Sequence, residues 1–237
     1  MSEWKAKRFW TKAEVVTQDD GFGVVLDGRP VRSPLKTAIT MPTRALAEGV
    51  AGEWQAQKDV IDPLSMPLTR AVNATLDKVI PQQPEVVANL AEYGGSDLLC
   101  YRAPRPDELV ALQNEGWDPV LDWLHRTHGA RLAVTQGVIP VPQPPEATDI
   151  LHARVAAFSP WELTALSEFV TLSGSLVLAL TVMEGHKTPE GAWDLSRVDE
   201  AWQISEWGED EDEAALVARK RGAFLQAHDY LSLIRSA

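Results

Sequence analysis

The sequence predicts an α+β chain, with a small antiparallel β-rich domain over residues 1–80 and a larger all-helical domain over residues 81–237. Two observations carry that prediction. Before residue 42, two Asp-Gly pairs separate short β-prone runs; after residue 84, apolar residues recur at helical spacing with few breaks. A third observation places the division. Pro81-Gln82-Gln83-Pro84 interrupts the helical pattern, so the boundary falls near residue 80.

The β-rich part reads as a meander. Residues 13–18 form one strand, Asp19-Asp20-Gly21 the turn, and residues 23–27 a second strand. Asp27-Gly28 then returns the chain into Pro30-Val31-Arg32-Ser33-Pro34, and residues 37–41 read as a further short strand. Thr43 is the expected N-cap of a helix whose stripe is Leu46, Val50 and Trp54, widened by Ala47 and Ala51. Pro67 opens a second helix with Leu68, Val72, Leu76 and Val79 on one face. Trp54, with Glu53 and Gln57, is the expected structural junction between the two parts.

In the helical part, Val86, Val87 and Leu90 mark one helix, ended by Gly94-Gly95. Leu109 to Leu124 mark a second, in which Pro119 should cause a kink or a fresh start. A proline-rich loop occupies residues 138–146, and Leu151, Val155 and Phe158 mark the next helix. Ser159-Pro160-Trp161-Glu162 is a helix start, with an N-cap Ser, Pro at the first position and Glu three after the cap. That helix is expected to reach Met183 as the buried centre of a bundle, with the small residues Ser173-Gly174-Ser175 inside it to let helices pack closely. Ser196 to Asp199 is a weaker start, with Val198, Trp202 and Ser205 facing inward. The last helix carries Val217, Phe224, Leu225, His228 and Leu231.

Composition narrows the function. Apolar residues at 45% and charged residues at 24% are the balance of a soluble globular protein. A net charge of −12 opposes nucleic acid and anionic membranes and favours a basic surface on a protein partner. The single cysteine, Cys100, allows no internal disulfide and fits a reducing cytoplasm. The start Met1-Ser2-Glu3-Trp4-Lys5 has no apolar signal core, and Leu176–Met183, the longest apolar run, is far short of the ~20 residues that span a bilayer. The expectation is a soluble, cytoplasmic, bacterial protein without membrane insertion.

Catalytic patterns are scarce. Neither a Gly-x-x-x-x-Gly-Lys-Ser/Thr loop nor a Gly-x-Gly-x-x-Gly fingerprint occurs. Ser173 lacks a nucleophile elbow, and Cys100 has no base nearby in sequence. His125 and His128 stand three apart on a helix and could share a metal, although no third ligand is evident. The strongest polar feature is Glu209-Asp210-Glu211-Asp212-Glu213, directly after Trp207-Gly208. Acids at a helix start gain from its dipole, but five in a row repel one another, so a docking patch for Lys or Arg on a partner is the sharper reading. A metal-assisted hydrolase using this run, or His125 and His128, is the alternative.

Several stretches together resemble a known family. They are Val25-Leu26-Asp27-Gly28-Arg29-Pro30-Val31, Glu53-Trp54-Gln55-Ala56-Gln57, Met66-Pro67-Leu68-Thr69, Asp97-Leu98-Leu99-Cys100-Tyr101-Arg102, Gln113-Asn114-Glu115-Gly116-Trp117-Asp118-Pro119, Gly174-Ser175-Leu176 and Gln203-Ile204-Ser205-Glu206-Trp207-Gly208. In this order they resemble the ATP synthase alpha-subunit assembly chaperones of mitochondria and alphaproteobacteria. The resemblance implies a β-rich amino-terminal domain, a helical carboxy-terminal domain, no cofactor and no enzymatic activity. It implies binding to the free alpha subunit and shielding of the surface that a beta subunit later covers. It also implies a functionally important acid after the Trp-Gly pair. Position matching puts that acid at Glu211, with Asp210 and Asp212 as alternatives, because the acids are denser here and Ala214-Ala215 follow where bulkier residues are usual. Glu206, Trp207 and Glu209 complete the expected partner-binding set.

Overall fold

The structure is a computed structural model that describes residues 7–137 and 139–236. The start Met1-Ser2-Glu3-Trp4-Lys5, and Val138 at the head of the proline-rich loop, lie outside the described residues. Three strands come first: β1 (Ala13–Gln18), β2 (Gly21–Leu26) and β3 (Arg29–Pro30). Helices α1 (Arg44–Ala56) and α2 (Pro67–Ala74) follow, and α2 runs on through a π-helical turn, Thr75–Val79. Next are α3 (Gln83–Glu92), β4 (Tyr101–Arg102), α4 (Asp107–His128), β5 (Thr135–Gln136) and α5 (Pro145–Ala156). The chain ends with α6 (Pro160–Ser173), α7 (Leu176–Met183), α8 (Pro189–Leu195), α9 (Val198–Trp207) and α10 (Glu211–Ile234). A small antiparallel sheet followed by helices is the α+β class the sequence predicted.

The described residues fall into two compact units. One is drawn from Met1–Gln83, Pro160–Thr164 and Asp229–Ala237, the other from Pro84–Ser159 and Ala165–His228. In the first unit, β1 and β2 pair from Ala13 opposite Leu26 to Gln18 opposite Gly21. The hairpin loop is therefore Asp19-Asp20, Gly21 opens β2 opposite Gln18, and Phe22 also bridges Met41. Asp27 and Gly28 make the second turn with φ values of 47° and 80°, the left-handed pair that suits the twist of a hairpin. Its shape is held by the Asp27 carboxylate, which accepts the Thr11 and Lys12 N–H groups at 2.9 Å each, and these bonds lower its pKa. Residues 37–41 do not form the expected strand; Met41 bridges Phe22 of β2, the Thr40 hydroxyl donates to Gln18 of β1 at 2.6 Å, and Ala38 bridges Arg32 beyond the sheet.

Thr43 caps α1 as expected, accepting the Leu46 N–H at 3.2 Å, and Leu46, Ala47, Val50 and Ala51 bury the stripe against β1 and β2. The face of α2 differs from the one expected. Thr69, Val72, Thr75 and Val79 are buried, whereas Leu68 and Leu76 are only half-buried. Thr75 leaves its helix pattern through the π turn, and its hydroxyl meets those of Thr164 at 2.7 Å and Tyr230 at 3.0 Å. A buried polar cluster satisfied within itself holds that register.

In the second unit, all eight residues of α7 are buried, with α4 and α8 against it. The expected single helix to Met183 is broken, however. At Gly174 φ is +72°, a value that ends a right-handed helix, and Ser175 caps α7 by accepting the Leu178 N–H at 2.9 Å. Open space surrounds the missing Cβ of Gly174, so its role is backbone conformation and not close helix packing. Asp97, fully buried, accepts the Ser175 hydroxyl at 2.7 Å and the Val177 N–H at 2.9 Å, which ties α7 to the turn before β4. Pro119 lies inside an uninterrupted α4, so no fresh start occurs there. Helix α8 had no counterpart in the sequence reading; Thr188 caps it. Ser196 closes α8, its hydroxyl donating to the Trp193 carbonyl at 2.7 Å, and does not cap α9. No described helix is long and apolar enough to cross a membrane.

Candidate functional site

Helix α9 positions the acidic run, and a polar framework in α4 positions α9. Gln113, almost wholly buried, accepts the Ala103 N–H at 2.8 Å and donates to Asp199 in the first turn of α9 at 2.6 Å. Trp117 donates its indole N–H to the Leu195 carbonyl at 2.8 Å, just before α9. Arg102 lies over the Trp117 ring and bonds the Leu99 carbonyl at 2.9 Å, Asn114 at 2.9 Å and Asp118 at 2.8 Å. Two of the stretches that carried the resemblance, residues 97–102 and 113–118, thus lock together to build this support. Burial, followed by the charge of Asp97, pushes the Cys100 thiol up to about 12, so it is a packed side chain and not a ready nucleophile.

No residue of α9 is buried. Val198 and Trp202 are half-buried and Ser205 is exposed, so the inward face expected for them is a groove wall and not a core. Gly208 ends α9 with its N–H on the Ile204 carbonyl at 2.9 Å. Asp210 then caps α10, accepting the Glu213 N–H on its carboxylate at 2.9 Å. Between α9 and the first turns of α10 runs a groove of about 510 Å³. Ile204, Trp207 and Val217 supply its apolar surface, and Glu209, Asp210 and Glu213 its acidic edge. Trp207 is 75% exposed and rests edge-on against Trp202, with ring centroids 5.6 Å apart.

The expected partner-binding residues therefore divide. Trp207, Glu209 and Asp210 line the groove; Glu206, Glu211 and Asp212 are exposed beside it. The carboxylate of Asp210 is committed to its cap. Those of Glu206, Glu209, Glu211 and Asp212 have no side-chain partner among the described residues. Sequence reasoning missed Ile204, Val217, Arg197 and Arg221 as lining residues. Ile204 was within reach, since it stands one helical turn before Trp207. Nothing in the sequence marked Arg197, which pairs with Glu200 at 2.6 Å, or Arg221.

The other expected residues lie in different surroundings. Glu53 accepts the Leu68 N–H at 2.7 Å, the Thr69 N–H at 2.8 Å and the Thr69 hydroxyl at 2.7 Å, and so caps α2 from α1. Gln57, buried, accepts the Asp62 N–H at 2.7 Å and donates to the Ser65 hydroxyl at 3.0 Å. Trp54 is half-buried and meets Trp10 edge-on at 5.2 Å. These three belong to the first unit, the acidic run to the second. His128 bonds Glu184 at 3.0 Å, and Glu184 is also held by Arg154 at 2.7 Å. Among the described residues no three His, Cys, Asp or Glu side chains gather as a metal site, so His125 and His128 have no third ligand there.

Comparison with known proteins gives one answer. Residues 7–125 match the family model of the ATP12 chaperone protein. The crystal structure of Atp12 from Paracoccus denitrificans is 47% identical, with 98% of this chain and 100% of that chain covered and a TM-score of 0.94. A lysine-for-aspartate mutant of P. denitrificans Atp12p is 46% identical, with 99% and 100% covered and a TM-score of 0.95. The mitochondrial protein atp12 of Schizosaccharomyces pombe is 22% identical over 218 residues, which are 87% of this chain and 75% of that protein.

Proposed function

Since the chain belongs to the ATP12 chaperone family, which serves ATP synthase assembly, we propose that it captures the free alpha subunit and shields the surface that a beta subunit later covers. It does so without enzymatic chemistry or cofactor, in the cytoplasm of a bacterium. The α9–α10 groove is the contact site. One observation carries this reading: an exposed Trp207 beside four exposed acids, Glu206, Glu209, Glu211 and Asp212, that form no ion pair with a described residue. A soluble protein rarely leaves a large aromatic beside a concentrated charge unless a partner covers both. The tryptophan supplies an apolar anchor, and the acids steer a basic surface toward it. Glu211 and Asp212, the acids of the first turn of α10 that neither line the groove nor cap the helix, are the ones for a partner cation to reach.

Pulldown of purified alpha subunit at low salt tests the reading. The chain should retain it at micromolar concentration and release it as salt screens the acids. Glu211→Lys should weaken capture while circular dichroism stays that of the wild type. No association, or a Glu211→Lys chain that is unfolded, contradicts the proposal in the first case and makes the acid structural in the second.

A further inference from the structure

The first unit carries a second groove, distinct from the acidic one. It has a volume of about 540 Å³, and Leu35, Trp54, Ile61, Met66 and Ala74 are among its apolar lining residues. Beside it the apolar surface continues. Leu35 is 71% exposed, and Leu64, one residue after the lining Pro63, is 78% exposed. The walls are held rigidly by groups that spend their polarity inward. Asp77 accepts the Ser33 hydroxyl at 2.6 Å, the Leu35 N–H at 3.1 Å and the Thr37 hydroxyl at 3.1 Å, which fixes one wall. Gln57 fixes the turn at residues 62–65, and Glu53 fixes the start of α2. Three polar side chains thus hold the walls of a groove whose exposed lining is mostly apolar, the preorganisation expected of a binding site.

The groove also has a charge of its own. Arg70 and Lys78 line it, both exposed and neither in an ion pair among the described residues. The remaining lining charge, Asp77, is satisfied by its three donors. In a chain of net charge −12, this is a local positive rim on an apolar groove.

We infer that this groove binds a short extended segment of the client polypeptide in which apolar side chains are flanked by carboxylates. The inference rests on the chaperone reading for the word client; the groove's chemistry stands without it. The acidic groove would then take a basic surface and this one an acidic, apolar segment, so that the two select different parts of one client.

Fluorescence anisotropy of a labelled peptide alternating Leu and Glu tests this on the full chain, beside a peptide alternating Leu and Gln. The Leu-Glu peptide should bind more tightly and lose affinity with salt. Arg70→Glu with Lys78→Glu should weaken it by roughly fivefold or more, and Leu35→Glu should do the same, while Glu211→Lys leaves it unchanged. Arg70, Lys78 and Leu35 are exposed, so these variants should keep the wild-type melting temperature. Equal binding of the two peptides, or variants that bind as the wild type does, overturns the inference. So does a dimer in sedimentation that Leu35→Glu dissociates, because the groove then belongs to a second copy. If the peptide binds as stated and the alpha subunit is not captured, the groove stands and the named client falls. If the alpha subunit is captured and the peptide does not bind, the groove falls alone.

Discussion

Glu53 shows how a residue in a recognisable motif can be structural in its chemistry. One carboxylate accepts three hydrogen bonds from the first turn of α2, groups that a helix start otherwise leaves unmatched. Hydrogen bonds to a charged acceptor contribute more than neutral ones, so Glu53→Ala should cost about 2–3 kcal/mol in urea denaturation with secondary structure retained. A variant as stable as the wild type would mean that α2 finds its cap elsewhere. The sequence marked Glu53, Trp54 and Gln57 as a junction but could not say what they join. The partners of Glu53 and Gln57 at residues 62–69 are set by the loop between helices, and loop geometry has no periodic signature. Asp210 is the converse case. A dense acidic run is visible to inspection, yet only its position at the start of α10 shows that one carboxylate caps the helix while its neighbours stay free.

At the scale of elements, regular periodicity was legible and its interruptions were not. Helices α1, α2 and α6 begin where Thr43, Pro67 and Pro160 mark a start, because caps and prolines act locally. The break between α6 and α7 was hidden by an apolar pattern that continues across it from Phe169 to Met183. What ends α6 is the φ of +72° at Gly174, together with Ser175 and the distant Asp97 that hold α7 in place. Gly174→Ala should therefore lower stability by about 1–2 kcal/mol through backbone conformation alone, since the space around its Cβ is open. Thermal unfolding at matched pH measures it, and an unchanged melting temperature would contradict the assignment. Helix α9 is the opposite kind of element. It buries nothing and is held through Asp199 and the turn before it, which suits a surface presented to a partner.

For the whole molecule, pH reports on one buried group. Burial pushes the Asp97 carboxyl up from the ordinary 3.8 to about 6, against the bonds from Val177, Ser175 and Leu99 that favour its charged form. The folded chain therefore holds a proton that the unfolded chain releases. The stability this contributes is complete below about pH 4 and is lost as pH rises through about 6, roughly 3 kcal/mol in all. Asp27 and Asp77 have lowered values and act with the opposite sign, contributing above the ordinary carboxylate range and losing that contribution in acid. The wild-type profile mixes these, so the comparison is with Asp97→Asn: the stability gap between the two should shift against the wild type by about 3 kcal/mol between pH 4 and pH 7. A constant gap would show that Asp97 stays charged when folded. The sheet and the bundle were both legible from turn chemistry and helical spacing, and the acidic run was visible as a candidate contact. The groove beside it was not, because Ile204, Val217 and Arg221 meet only when α9 and α10 fold against each other. We propose that this groove and its acids hold the alpha subunit. Hydrogen exchange of the chain with and without purified alpha subunit tests it most directly. Exchange should slow across residues 201–217 on binding, and the slowing should be lost in Glu211→Lys. Binding that leaves those amides exchanging as in the free chain would contradict it.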